Sequence, residues 1–86
     1  MPPVYEVNKT MELKTATDLV RYLFPKKTIV GKIVQSDRII FAVKRSMPIY
    51  AHYAVGHHGE RGVRVERRDY NGECKYSKFV AGIELA

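Results

Sequence analysis

The sequence predicts an α+β domain, predominantly an antiparallel sheet of about five to six strands with one short helix near the N-terminus packed on one face. Three observations lead there. A single stretch with helical apolar spacing lies between residues 15 and 24, β-branched and alternating segments fill most of the chain from residue 28 onward, and Asn71-Gly72 separates two such segments as a hairpin turn would. The pattern leaves open whether the sheet stays flat or curls into a partial barrel.

Two prolines precede Val4 to Val7, which reads as a short strand suited to an exposed start. Met11-Glu12-Leu13 is either a short strand or the lead-in to the helix. Thr15 and Asp18 have the spacing of a capping box, with a carboxylate in the first turn where the helix dipole favours it. Ala16, Leu19, Val20 and Leu23 then recur on one stripe, and Pro25 ends the run by biasing Phe24 out of the helical region. Such a helix is too short to be stable alone in water, so its stripe must pack on the sheet.

Thr28 to Gln35 is β-branched and broken by Gly31, which marks a bulge or a close approach. Ser36-Asp37 turns the chain into Arg38 to Arg45, where Ile39, Phe41 and Val43 share one face and Arg38, Ile40, Ala42 and Lys44 the other. Apolar residues on both faces of these two segments suggest burial on two sides. After Met47-Pro48 a strand resumes from Ile49 to Val55, with Tyr50, His52 and Ala54 opposite Ile49, Ala51, Tyr53 and Val55. Gly56 to Gly62 holds three glycines in seven residues and reads as a mobile loop.

Val63 to Tyr70 and Glu73 to Val80 flank Asn71-Gly72, the pair a two-residue type I′ turn requires. That turn sets Tyr70 opposite Glu73, Arg68 opposite Lys75, Glu66 opposite Ser77 and Arg64 opposite Phe79. The other face of the hairpin (Val63, Val65, Arg67 and Asp69 with Val80, Lys78, Tyr76 and Cys74) holds more apolar groups and is expected to meet the core. Arg67 is expected to lie across Tyr76, and Cys74 to be a small core residue.

Eighty-six residues allow one domain, spanning 1–86, with a stability on the order of 5–10 kcal/mol. One cysteine excludes an intramolecular disulfide and a Cys-based zinc site, and fits a reducing compartment. The N-terminus lacks the pattern of a signal peptide, and no apolar run approaches a membrane span, so a cytoplasmic protein without membrane partners is expected.

Fifteen Lys and Arg against nine acids leave a net charge of +6 on a small body, a field that attracts polyanions. Six cations and one acid lie between Lys26 and Arg45 alone. In the hairpin, Arg64, Arg68 and Lys75 stand in one row with Tyr70 and Phe79. Cations suit phosphates and rings suit unstacked bases, which is the pairing that RNA loops and single strands need. These five residues, with Lys44, Arg45 and Arg61, form the candidate nucleic-acid-binding set. The expected function is RNA binding in preference to DNA, as a free protein or as a subunit of a ribonucleoprotein or ribosome. Neither the strand signature of RNA-recognition motifs nor a zinc-finger pattern is present.

Two other classes remain open. An assembly module, accessory or viral, would form oligomers through its sheet surfaces. A metal-independent ribonuclease would use His52, His57 and His58 as acid and base. No nucleophile elbow, phosphate-cradling loop or metal-ligand spacing occurs, so no catalytic residue, cofactor or metal is assigned.

Overall fold

The computed structural model describes residues 13–86. Among these residues one helix, α1 (Ala16–Leu23), precedes five strands: β1 (Ile29–Val34), β2 (Arg38–Val43), β3 (Ile49–Val55), β4 (Arg61–Arg68) and β5 (Cys74–Ala81). The strands pair in chain order β1-β2-β3-β4-β5, every pair antiparallel, and the sheet is open rather than closed into a barrel. The strand expected at residues 4–7 lies outside the described residues, and Leu13 is in neither helix nor strand. No helix among the described residues is long and apolar enough to cross a membrane.

The helix forms where capping and periodicity agree. Thr15 is the N-cap: its hydroxyl accepts from the Asp18 backbone N–H at 3.2 Å, and the Asp18 carboxylate accepts from the backbone N–H groups of Thr15 and Lys14, both at 3.3 Å. The first helical N–H groups find partners in the C-terminal segment, where Ala16 donates to the Glu84 carbonyl at 2.8 Å and Thr17 to that of Ala86 at 3.0 Å. The chain end thus satisfies donors that a helix start leaves free, and Ile83 is buried beside it.

Hydrogen bonding lowers the Asp18 carboxyl below the usual carboxylate range; the Lys14 N–H is the largest cause, Thr15 and Arg21 add to it, and desolvation opposes it in part. A lowered folded-state pKa adds stability that is complete above the unfolded value and lost as pH falls through the folded one. An acid titration of folding should therefore flatten in Asp18→Asn. At neutral pH, Thr15→Ala should cost about 1 kcal/mol, read by urea denaturation.

One face of the sheet carries the core. Ala16, Leu19 and Val20 of α1 cluster with Ile39, Phe41, Val43, Ile49, Ala51, Val63, Val65 and Ile83, all buried. These are the faces that strand alternation assigns to β2, β3 and β4. Burial of Phe41 and Leu19 contributes about 1.5–3 kcal/mol each.

β1 and β2 depart from the expected two-sided burial: Val30, Ile33 and Val34 are exposed on the edge strand β1, Ala42 is exposed and Ile40 only half-buried in β2, because one face of the sheet carries the core while the helix packs chiefly on β3 and β4. The bulge expected near Gly31 is present as a register shift between Ile29 and Gly31. A close approach at Gly31 is not, since an added Cβ would meet only the Ala42 Cβ at 3.7 Å.

Both later hairpins close by the same device. Gly56 N–H donates to the Glu60 carbonyl at 2.8 Å and Gly59 N–H to that of Gly56 at 3.1 Å; Asp69 and Gly72 repeat this with Glu73 and Asp69, both at 3.0 Å. Gly59 and Gly72 both have positive φ, 82° and 83°. These are three-residue loops with the left-handed residue last. The segment expected as a long mobile loop is therefore a tight turn over His57-His58-Gly59, and Arg61 and Gly62 belong to β4.

The second hairpin corrects the two-residue turn expected at Asn71-Gly72. Asn71 does not take the positive φ that a type I′ turn needs. Instead the Asp69 carboxylate accepts from the backbone N–H groups of Asn71 at 2.9 Å and Glu73 at 3.0 Å, bracing a three-residue turn over Tyr70-Asn71-Gly72. The register then shifts between Arg67 and Arg68, so that Arg68 faces Cys74 and Lys75 is the extra residue. Beyond the bulge the expected pairs Glu66↔Ser77 and Arg64↔Phe79 are restored. Displaced by the bulge, Cys74 is exposed rather than in the core, its thiol donating to the Tyr76 carbonyl at 3.2 Å.

Arg67 faces the core side directly opposite Tyr76, as expected of its stem. Its guanidinium goes further, lying 5.8 Å from the Phe24 ring centroid and donating to the Ser46 hydroxyl at 2.6 Å. Phe24 in turn meets Tyr76 edge-on at 5.0 Å, closing an aromatic corner under the end of the helix.

Candidate nucleic-acid interface

With α1 on one face, no helix or strand among the described residues covers the other. The pairing register organises that open face into two parallel rows. One runs Arg38, His52, Arg64, Phe79 across β2 to β5, each directly opposite the next. The second runs Ile33, Ile40, Tyr50, Glu66, Ser77 across all five strands. At about 4.8 Å between strands the first row spans roughly 14 Å, and two residues along a strand set the rows about 7 Å apart.

The first row is cationic with an aromatic end. The Arg64 guanidinium sits 5.7 Å from the Phe79 ring centroid and donates to the Ser77 hydroxyl at 2.9 Å. Among the described residues it meets no carboxylate, so its charge is uncompensated at close range. Arg38 lies 3.7 Å from Asp37, both half-exposed or more, a pair worth little in water. His52 places Nδ1 2.9 Å from the Tyr53 carbonyl and Nε2 3.5 Å from Glu66.

The second row changes character at its middle: Ile33, Ile40 and Tyr50 are apolar or aromatic, Glu66 and Ser77 polar. Glu66 is the one carboxylate in either row, and its side chain is only 17% exposed. Arg68 Nη2 donates to its Oε1 at 3.0 Å, and Arg68 Nη1 donates to the Gly72 carbonyl at 2.9 Å. Asp37, Arg38, Tyr50, His52, Tyr53, Glu66 and Arg68 together line a concavity of about 560 Å³, large enough for one nucleotide-sized group.

Of the residues singled out from the sequence, Arg64 and Phe79 meet in the first row, and Arg68 lies farther along β4, paired with Glu66 of the second. Lys75 joins neither row: as the bulge residue it pairs with Glu73 at 3.3 Å and Asp69 at 3.7 Å, and the like-charge opposition of Arg68 and Lys75 is absent. Tyr70 stands at the tip of the turn, 91% exposed and outside the row. Lys44 and Arg45 lie in the β2–β3 turn at that same end of the sheet, with Arg45 at φ 57°. Arg61 opens β4 at the opposite end, opposite Val55 and in the register of the core-side face.

Arg38, Tyr50, His52 and Glu66 were not in that set. Alternation already put the first three on the polar faces of their strands; the missing knowledge was the β2–β3 and β3–β4 register, which sequence does not supply. His57 and His58 are exposed in the β3–β4 turn, beyond the strand that carries His52. Among the described residues no three His, Cys, Asp or Glu side chains are arranged to hold a metal ion. Comparison with known proteins adds no relative to this geometry: no protein-family model, no curated protein and no solved structure matches the chain.

Proposed function

We propose that this chain binds single-stranded nucleic acid, RNA in preference to DNA, across the open face of its sheet. The observation that carries the reading is the side-by-side run of a row in which Arg38 and Arg64 flank His52 and an apolar row, Ile33-Ile40-Tyr50, on a face that no helix or strand among the described residues covers. A strand laid along them would set phosphates against the guanidinium groups and bases against Tyr50 and Phe79. RNA is favoured because its unpaired loops present splayed bases to such a platform. The net charge of +6 adds long-range attraction, and an exposed thiol at Cys74 suits a reducing, cytoplasmic setting. The role is that of a binding protein, alone or as a subunit of a ribonucleoprotein.

Fluorescence anisotropy with a labelled seven-nucleotide uridine-rich RNA tests this. Binding at 50 mM salt is expected to weaken steeply by 200 mM, with log affinity falling linearly in log salt. A flat titration at 50 mM salt would overturn the reading.

A further inference from the structure

Resting on that reading, we propose that the concavity at Tyr50 and Glu66 takes one guanine base of the bound strand, with Glu66 as the residue that selects it. A carboxylate on a face meant for polyanions repels phosphate, so its presence there needs a reason other than affinity. Its placement supplies one. Glu66 is directly opposite Tyr50, so a base stacked on the Tyr50 ring would bring an edge toward the carboxylate.

Arg68 Nη2 holds Oε1 at 3.0 Å, which fixes the carboxylate without exhausting it, and Oε2 faces His52 Nε2 at 3.5 Å. A carboxylate has about four lone-pair sites and no proton to donate, so each oxygen can still accept one hydrogen bond. Guanine is the base that offers two adjacent donors, N1–H and the 2-amino group, on a single edge. Adenine and cytosine set a ring-nitrogen acceptor beside their amino group, and uracil flanks its one N–H with two carbonyls; each brings a lone pair against the carboxylate. Arg38 and Arg68 line the same concavity, where they can take the neighbouring phosphates.

The experiment compares labelled RNA heptamers of uridine carrying G, A, C, U or inosine at the centre, with wild type and Glu66→Gln, at one low salt. Wild type should prefer the guanine heptamer by about tenfold or more over A, C and U, with inosine between because it lacks the 2-amino donor. In Glu66→Gln, which keeps the shape but offers only one acceptor oxygen, the five should bind within about threefold of one another. Equal binding of all heptamers by wild type would overturn guanine selection while leaving the RNA-binding reading intact. No binding of any heptamer would end both. Guanosine monophosphate is expected to compete only far above the heptamer's Kd; equal potency would overturn the strand-borne base in favour of a free nucleotide.

Discussion

Replacing Gly62 by alanine is expected to cost about 3 kcal/mol of folding stability, the upper part of the range for forcing a group into filled space. Gly62 is buried in β4 opposite Ala81, where the β5 backbone passes unusually close. A Cβ there would overlap the carbonyl oxygen of Val80 and stand 2.7 Å from the Ala81 Cα. Backbone cannot rotate away as a side chain can, so β4 and β5 must separate or bend. Urea denaturation should show the loss as a lower midpoint, and a thermal melt as a fall of roughly 12–24 °C. Gly31→Ala is the matched control: its new methyl meets only the Ala42 Cβ at 3.7 Å, and stability should stay within about 1 kcal/mol of wild type or rise. Equal stability of the two variants would mean that β4 and β5 do not approach at Gly62 as described.

The second large effect concerns binding. Arg38→Ala combined with Arg64→Ala removes the two guanidinium groups of the cationic row, and affinity for single-stranded RNA is expected to fall about 10- to 100-fold at low salt. The slope of log affinity on log salt should shrink by about 1.4, since each lost phosphate contact removes about 0.7 for a single strand. Folding should be little affected, because both side chains project from the open face and their pairing is with Asp37 in one case and with Ser77 and Phe79 in the other. Lys44→Ala with Arg45→Ala removes the same formal charge from the β2–β3 turn and should weaken binding only several-fold. If both double variants lost affinity equally, binding would follow net charge rather than the row.

Several features were legible in the residues themselves because they depend on neighbours in the chain. Thr15 and Asp18 cap the helix through contacts three residues apart, Pro25 ends it, and Leu19 and Val20 face the core because helical spacing puts them on one stripe. The alternation in Arg38–Val43 and Ile49–Val55 assigned Ile39, Phe41, Ile49 and Ala51 inward and Arg38, Tyr50 and His52 outward, since successive side chains in a strand must point to opposite faces. Of the binding row, this left Arg64 opposite Phe79 as the one cross-strand contact that could be read.

Chain-local chemistry determined the helix at Ala16–Leu23, the strand-rich segment that follows it, the sidedness of the central strands and the excess of positive charge. Only the tertiary structure decided which outward residues are neighbours, because register depends on turn geometry and bulges that compete on small energy differences. At Asp69 a carboxylate taking two backbone N–H groups prevailed over the turn that Asn71-Gly72 suggested. The bulge that followed sent Lys75 to Glu73 and Asp69, and carried Cys74 out of the core. The alignment of Arg38, His52 and Arg64 beside Tyr50 and Glu66 arises from strands separated in the chain, and a one-residue slip in any pairing would dissolve it.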